Sequence, residues 1–155
     1  MIDWQRFRIG FLHDPIPSGR VLSIDHDGTM EWESPKRLSI RGSYESSCQI
    51  RSQGGNGRGQ ATQLYIDVNP SKFIQGHNVF GIENNLILAE EVIRRICFAV
   101  PSLPKDFAIK KARVGDFEQL GIHIARSFDA GSLAAAHSIQ DALALKSRSR
   151  SGRCQ

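Results

Sequence analysis

The sequence is poor in cysteine: Cys48, Cys97 and Cys154 are the three present, far apart and odd in number. No CxxC pair and no Cys/His spacing of a zinc site occurs, so neither a disulfide framework nor structural zinc is supported. Cys48 and Cys97 have apolar neighbours and read as small core residues. Long hydrophobic runs are missing as well. The longest, Ile96 to Val100, has five residues, against the ~20 required to cross a bilayer. The start, Met1-Ile2-Asp3-Trp4-Gln5-Arg6, has no apolar stretch that would serve as a secretion signal. A cytosolic location without membrane attachment is the expectation.

What is present is a chain of 155 residues, suited to one domain and long enough to bury a sizeable core. Its net charge of +4 is unevenly placed. The last ten residues, KSRSRSGRCQ, hold one Lys, three Arg and no acid, and the other 145 residues balance. The expected organisation is a domain over 1–145 followed by a basic Ser/Arg-rich end over 146–155. That end reads either as a solvated tail or as a contact to nucleic acid through Lys146, Arg148 and Arg150.

The first half alternates with period two. Phe7, Ile9 and Phe11 alternate with Arg6, Arg8 and Gly10, Met30 and Trp32 with Glu31 and Glu33, and Leu38 and Ile40 with Arg37, Ser39 and Arg41. Cys48 and Ile50, then Leu64, Ile66 and Val68, continue the pattern. Such alternation predicts an antiparallel sheet covered on its apolar side. Asp25-His26-Asp27-Gly28 and the glycine-rich stretch from Gln53 to Gln60 read as hairpin connections, the second lacking the Lys-Ser/Thr ending of a P-loop. In the second half, Asn84 or Asn85 is the expected N-cap of a helix carrying Leu86, Ala89, Ile93, Ile96 or Cys97, and Val100, stopped by Pro101. Strands are expected near Phe107 to Val114 and Gln119 to Phe128, and a second helix from Ser132 through Leu133, Ala136, Ile139, Gln140 and Leu143. The predicted class is α+β, a largely antiparallel sheet with two amphipathic helices on its apolar face.

Period two also assigns the other face. Arg6, Arg8, Arg37, Arg41, Gln49, Arg51 and Asp67 all lie opposite the apolar residues, and five of these seven are Arg. A guanidinium fork suits phosphate, and its stem equally suits an ordinary solvated sheet face.

One segment departs from strand-and-turn sequence. Asn69-Pro70-Ser71-Lys72-Phe73-Ile74-Gln75-Gly76-His77-Asn78-Val79-Phe80-Gly81 sets a polar Gln-Gly-His-Asn step between apolar pairs. Together with Pro15-Ile16-Pro17-Ser18-Gly19, Arg41-Gly42-Ser43-Tyr44-Glu45-Ser46 and the basic end, it resembles the replication initiators of filamentous phages, the gene II/X family of phage and plasmid replication proteins. The resemblance covers nearly the whole chain, as the N-terminal part of a longer family. It implies rolling-circle replication: binding of origin or single-stranded DNA, nicking of one strand and later rejoining, with host replication proteins as candidate further partners, in a bacterial cytoplasm.

In that chemistry a Tyr hydroxyl attacks the phosphodiester and stays on the 5′ phosphate, freeing a 3′ hydroxyl, while a divalent cation, Mg²⁺ or Mn²⁺, offsets the developing charge. The resemblance suggests His77, His123, Glu45 and Asp67 as metal ligands, and Lys72, Gln75, Asn78, Arg37, Arg41, Arg51, Lys146, Arg148 and Arg150 as DNA contacts. Family members carry an Arg-hydrophobic-Asp step on a later strand, where Gly121 and His123 stand here. The nucleophilic Tyr is expected beyond Gln155, and neither Tyr44 nor Tyr65 has its context, so no catalytic residue is assigned within the chain. The expectation is an N-terminal fragment that is inactive alone in nicking. The alternative is a non-catalytic nucleic-acid-binding module or regulator.

Overall fold

The structure is a computed structural model and describes residues 1–17, 19–77, 81–126 and 130–151, the last six by backbone alone. Seven strands and four helices occur among them, in an α+β arrangement. Five strands form an antiparallel sheet in the order β4 (Leu38–Arg41), β5 (Ser47–Gln53), β6 (Ala61–Val68), β1 (Ile2–His13), β7 (Glu118–Ile124). β2 (Arg20–Ile24) and β3 (Met30–Pro35) make a separate two-stranded ribbon.

The alternation places one face of the large sheet in the core. Phe7 and Ile9 of β1, Cys48 and Ile50 of β5, and Leu64 and Ile66 of β6 are completely buried. At about 1.5–3 kcal/mol for each large apolar side chain removed from water, this face fixes the register, because a one-residue slip would turn all of them outward. Helix α1 (Pro70–Gln75), α2 (Asn85–Ala99) and α3 (Lys105–Arg113) supply the other side of the core through Phe73, Ala89, Val92, Ile93, Ile96, Ala108 and Ala112.

Asn84 is the N-cap of α2, its side chain accepting from the amides of Leu86 and Ile87, which resolves the choice between Asn84 and Asn85. Leu86 itself is largely exposed, and Leu88 and Val92 take its place in the buried stripe. The outer face of α2 is laced by Arg94 to Glu90 and Arg95 to Glu91 pairs one turn apart, and Arg113 of α3 reaches back to Glu90.

Two expectations are corrected. Residues 107–114 are not a strand: α3 occupies 105–113 and buries Ala108, Ile109 and Ala112, a helical spacing, while Phe107 and Val114 are exposed. The alternation in β3 is real but covers nothing, since Met30 and Trp32 are more than half exposed on the ribbon. The hairpin connections form where expected, the first closed by Asp25 accepting from the amides of Asp27 and Thr29, the second by Asn56 accepting from those of Arg58 and Gln60.

By its contacts the chain divides into a unit of residues Met1–Ala125 and a second beginning at Arg126. The second contains α4 (Leu133–Ser151), whose start is marked by Ser132 accepting from the Ala135 amide. No helix among the described residues is long and apolar enough to cross a membrane.

Candidate nucleic-acid interface

The face of the sheet opposite the core follows from strand register. Arg6 of β1 stands opposite Asp67 of β6, which stands opposite Gln49 of β5; one step along, Arg8, Tyr65 and Arg51 form a second row. Arg41 pairs with Ser47 at the end of β4, the edge strand, and lines the groove beside α2 instead of joining these rows.

Asp67 organises the first row. Its carboxylate accepts from the Trp4 indole nitrogen at 2.7 Å, from Arg6 at 3.1 and 3.2 Å, from Arg37 at 3.0 Å and from the Tyr65 hydroxyl at 3.4 Å. The carboxylate is 13% exposed and both guanidiniums 40%, so the ion pairs sit at the boundary between sheet and water. Two cations share one anion here, and the cluster keeps a surplus positive charge.

The guanidiniums also lie over aromatic rings. Arg6 is 4.7 Å from the centre of Trp4, Arg51 is 4.7 Å from that of Tyr65, and Arg37 is 5.2 Å from the same ring. Stacking holds the planar forks at fixed positions while their outer edges stay hydrated. Arg8 is paired with Glu118. Four arginines, Arg6, Arg8, Arg37 and Arg51, against Asp67 and Glu118 leave the face basic, with Trp4 and Tyr65 beneath the guanidiniums, a composition suited to a phosphate backbone.

The motif blocks at positions 41–46 and 69–77 meet in space. The Ser43 amide donates to the Phe73 carbonyl at 3.1 Å and the Ser43 hydroxyl to that of Ile74 at 2.9 Å. Helix α1 starts with Asn69 as N-cap and Pro70 in its first turn, and ends at Gly76. Gly76 has φ +87°, and a Cβ there would lie 2.1 Å from the Tyr44 ring, so the glycine answers both a left-handed backbone and a close approach. Gly42 is restricted differently: a Cβ would lie 2.4 Å from the Phe73 ring and 2.8 Å from the Phe73 carbonyl.

Of the expected DNA contacts, Arg37 and Arg51 lie on the aromatic-backed face, whereas Lys72 and Gln75 are exposed on α1. Arg41 borders a groove beside α2. Asn78 lies outside the described residues, as do the side chains of Lys146, Arg148 and Arg150, whose backbone belongs to α4. Among the expected metal ligands, Glu45 is exposed in the turn before β5, and His77 is exposed just after α1.

His123 is exposed on β7, opposite Trp4, with ring centres 4.6 Å apart. Asp67 is held by arginines. These four therefore do not gather as three or more ligands around one point; among the described residues that is done only by Asp25, His26 and Asp27 at the ribbon tip. As arranged, the expected set does not fit a divalent cation. Trp4 and Tyr65 were not singled out by sequence reasoning, although Trp4 shares the two-residue period of Arg6 and Arg8. Tyr65 is a buried strand residue and Tyr44 an exposed turn residue.

The profile of the family described as the N-terminal region of the phage replication-associated protein, the gene II protein, matches residues 1–155. The chain is 37% identical to the replication-associated protein of that name from Enterobacteria phage I2-2 over 155 residues, covering 99% of this chain and 44% of that protein. It thus spans less than half the length of the curated relative it matches. No solved structure matches the chain.

Proposed function

The chain belongs to the family of phage replication-associated gene II proteins, as the N-terminal region of such a protein, and on that premise we propose that it binds origin DNA through the arginine face of its large sheet. The observation that carries this reading is the pair of rows in which Arg6, Arg37 and Arg51 lie over Trp4 and Tyr65 while Asp67 sets the positions of Arg6 and Arg37. Guanidiniums ordered before binding lose little entropy when they meet a phosphate, and Arg51, free of any carboxylate among its described contacts, is the readiest of them.

In the whole protein this binding would place one strand for rolling-circle nicking and rejoining, with the nucleophilic Tyr supplied beyond Gln155. Among the described residues, the ligands expected for a cation by the family resemblance do not gather in one place. The same observation favours a second reading, a DNA-binding module without chemistry of its own.

The test is titration of labelled origin DNA, single-stranded and duplex, with the parent chain and with an Arg37→Ala/Arg51→Ala variant. Loss of two contacts should flatten log affinity against log salt by about 1.4, at about 0.7 per phosphate on a single strand. An unchanged slope removes the arginine face from the interface. Incubation of supercoiled origin plasmid with Mn²⁺ or Mg²⁺ tests what both readings share, since nicking by this chain alone would refute the module and also the placement of the nucleophile beyond Gln155.

A further inference from the structure

On the helical side of the first unit, the end of β4 and the Gly42-Ser43 turn face the last turns of α2 and the first residue of α3 across a groove of about 570 Å³. Arg41, Arg94, Arg95 and Lys105 line it together with Phe73 and Phe98, and no carboxylate does. Arg94 and Arg95 are partly neutralised by Glu90 and Glu91 on the preceding turn of α2. Arg41 and Lys105 have no acidic partner among the described residues, and they stand on opposite walls. Phe98 is 84% exposed, an unusual position for a phenyl ring at the rim of four cations.

We propose that this groove is a second binding site for single-stranded DNA, with phosphates held by Arg41 and Lys105 and one unpaired base stacked on Phe98. Charge selects a polyanion, and the exposed ring selects one that offers flat faces. A duplex hides the faces of its bases, and an acidic peptide has none, so a single strand satisfies both features together. The groove is separate from the arginine face, whose Arg6, Arg8 and Arg51 project from the opposite side of the sheet. One wall is the turn at Gly42 and Ser43 docked on α1, so the motif blocks shape this groove rather than the arginine face. The proposal rests on the DNA-binding reading above and extends it: a strand opened at an origin yields two single-stranded arms, and two separated basic tracks can hold both.

The experiment is fluorescence anisotropy with a labelled oligo-dT of about 12 nucleotides, within the span of a single-strand site. It compares the parent chain with Arg41→Ala/Lys105→Ala, Phe98→Ala and Arg51→Ala. All four side chains are at the surface or partly exposed, and circular dichroism checks that each variant is folded. Expected is a salt slope flattened by about 1.4 for the Arg41/Lys105 pair. Phe98→Ala should weaken binding about 5- to 150-fold with little change of slope, the range for one base stacked on an aromatic ring. Arg51→Ala should weaken binding separately, through the arginine face. Groove variants that bind like the parent while Arg51→Ala does not would overturn the groove and leave the arginine face standing. An unaffected Phe98→Ala beside a weakened Arg41/Lys105 pair would also overturn it, reducing the groove to a general polyanion contact. A parent chain that binds no oligonucleotide would overturn both readings.

Discussion

Replacing Asp67 by asparagine tests whether this carboxylate organises the arginine face or is itself a contact to metal or DNA. The substitution keeps shape and one acceptor. With its carbonyl at the Oδ1 position, the new side chain still accepts from the Trp4 indole, but its amide then stands where Oδ2 receives Arg6, Arg37 and the Tyr65 hydroxyl. Donors would face donors. A hydrogen bond to a charged group is worth about 1.5–3 kcal/mol, and two guanidiniums lose their anion. Both are 40% exposed, so water recovers part of each loss, and the discounted cost is about 2 kcal/mol, or roughly 6–8 °C in Tm for a unit of this size. Binding should move the other way. Removal of one negative charge frees about one cation for phosphate, steepening the salt slope by about 0.7 and raising affinity for a single strand about fivefold at 0.1 M salt. Thermal melting and anisotropy titrations from low to high salt, each with Mn²⁺ and with EDTA, measure both effects. A variant that binds DNA more weakly, above all one whose loss appears only with Mn²⁺, would refute the organising role and make Asp67 a ligand.

Two further predictions concern the scaffold. His13 is buried between the Phe11 carbonyl, 3.1 Å from Nδ1, and the Ser52 hydroxyl, 3.0 Å from Nε2, and desolvation holds its pKa below the ordinary value. The unfolded chain then binds the proton first, so this contribution to stability is full above the ordinary histidine pKa of about 6.5 and is lost as pH falls below it towards the folded value. Tm between pH 7 and 5 should fall less in His13→Gln than in the parent, and equal slopes would refute the assignment. Gly42→Ala forces a Cβ against the Phe73 ring and carbonyl and should cost about 2–3 kcal/mol, with faster hydrogen exchange at the Ser43 and Gly76 amides; unchanged protection would show that α1 does not depend on the close approach.

The legible parts of the fold were those in which one periodicity had no competitor. β1, β5 and β6 alternate over enough residues that only a strand satisfies them, and α2 has an Asn cap, a helical stripe and a terminating Pro. α3 misled because Phe107 and Ile109 imitate a strand over two repeats, and its helical evidence lies in Ala108 and Ala112, which contribute little hydrophobicity to any pattern. α1 carried its own signal, Asn69-Pro70 as cap and first turn, but six residues are too few for a period to emerge. In the ribbon the alternation was genuine, and what failed was the inference that an alternating strand must be covered, because β2 and β3 pair only with each other. Alternation assigns Arg6, Arg8, Gln49, Arg51 and Asp67 to the rows they occupy, whereas Arg41, at the end of the edge strand, lines the groove beside α2. The organisation of the polar face was not legible, since which arginine meets Asp67 depends on register across three strands and on Arg37, which precedes β4 and reaches the same carboxylate.

Gly121 and His123 of β7 both meet one residue, Trp4. Trp4 lies across β1 and β7 with its ring against His123, and a Cβ at position 121 would stand 3.1 Å from the Trp4 ring, closer than an aromatic edge tolerates easily. The indole thereby occupies space that an arginine side chain at 121 would contest, and directs its nitrogen onto Asp67. The positive charge that such an arginine would contribute is present nonetheless, delivered to Asp67 from β1 by Arg6 and from beside β4 by Arg37. His123 in turn stacks on the indole, an interaction that an aspartate in its place would not make. Trp4, Asp67, Gly121 and His123 therefore behave as one unit, and an arginine at 121 or an aspartate at 123 alone would disturb the others. Aromatic stacking on β7 and arginines delivered from β1 and from beside β4 thus hold one edge of the face together around Asp67.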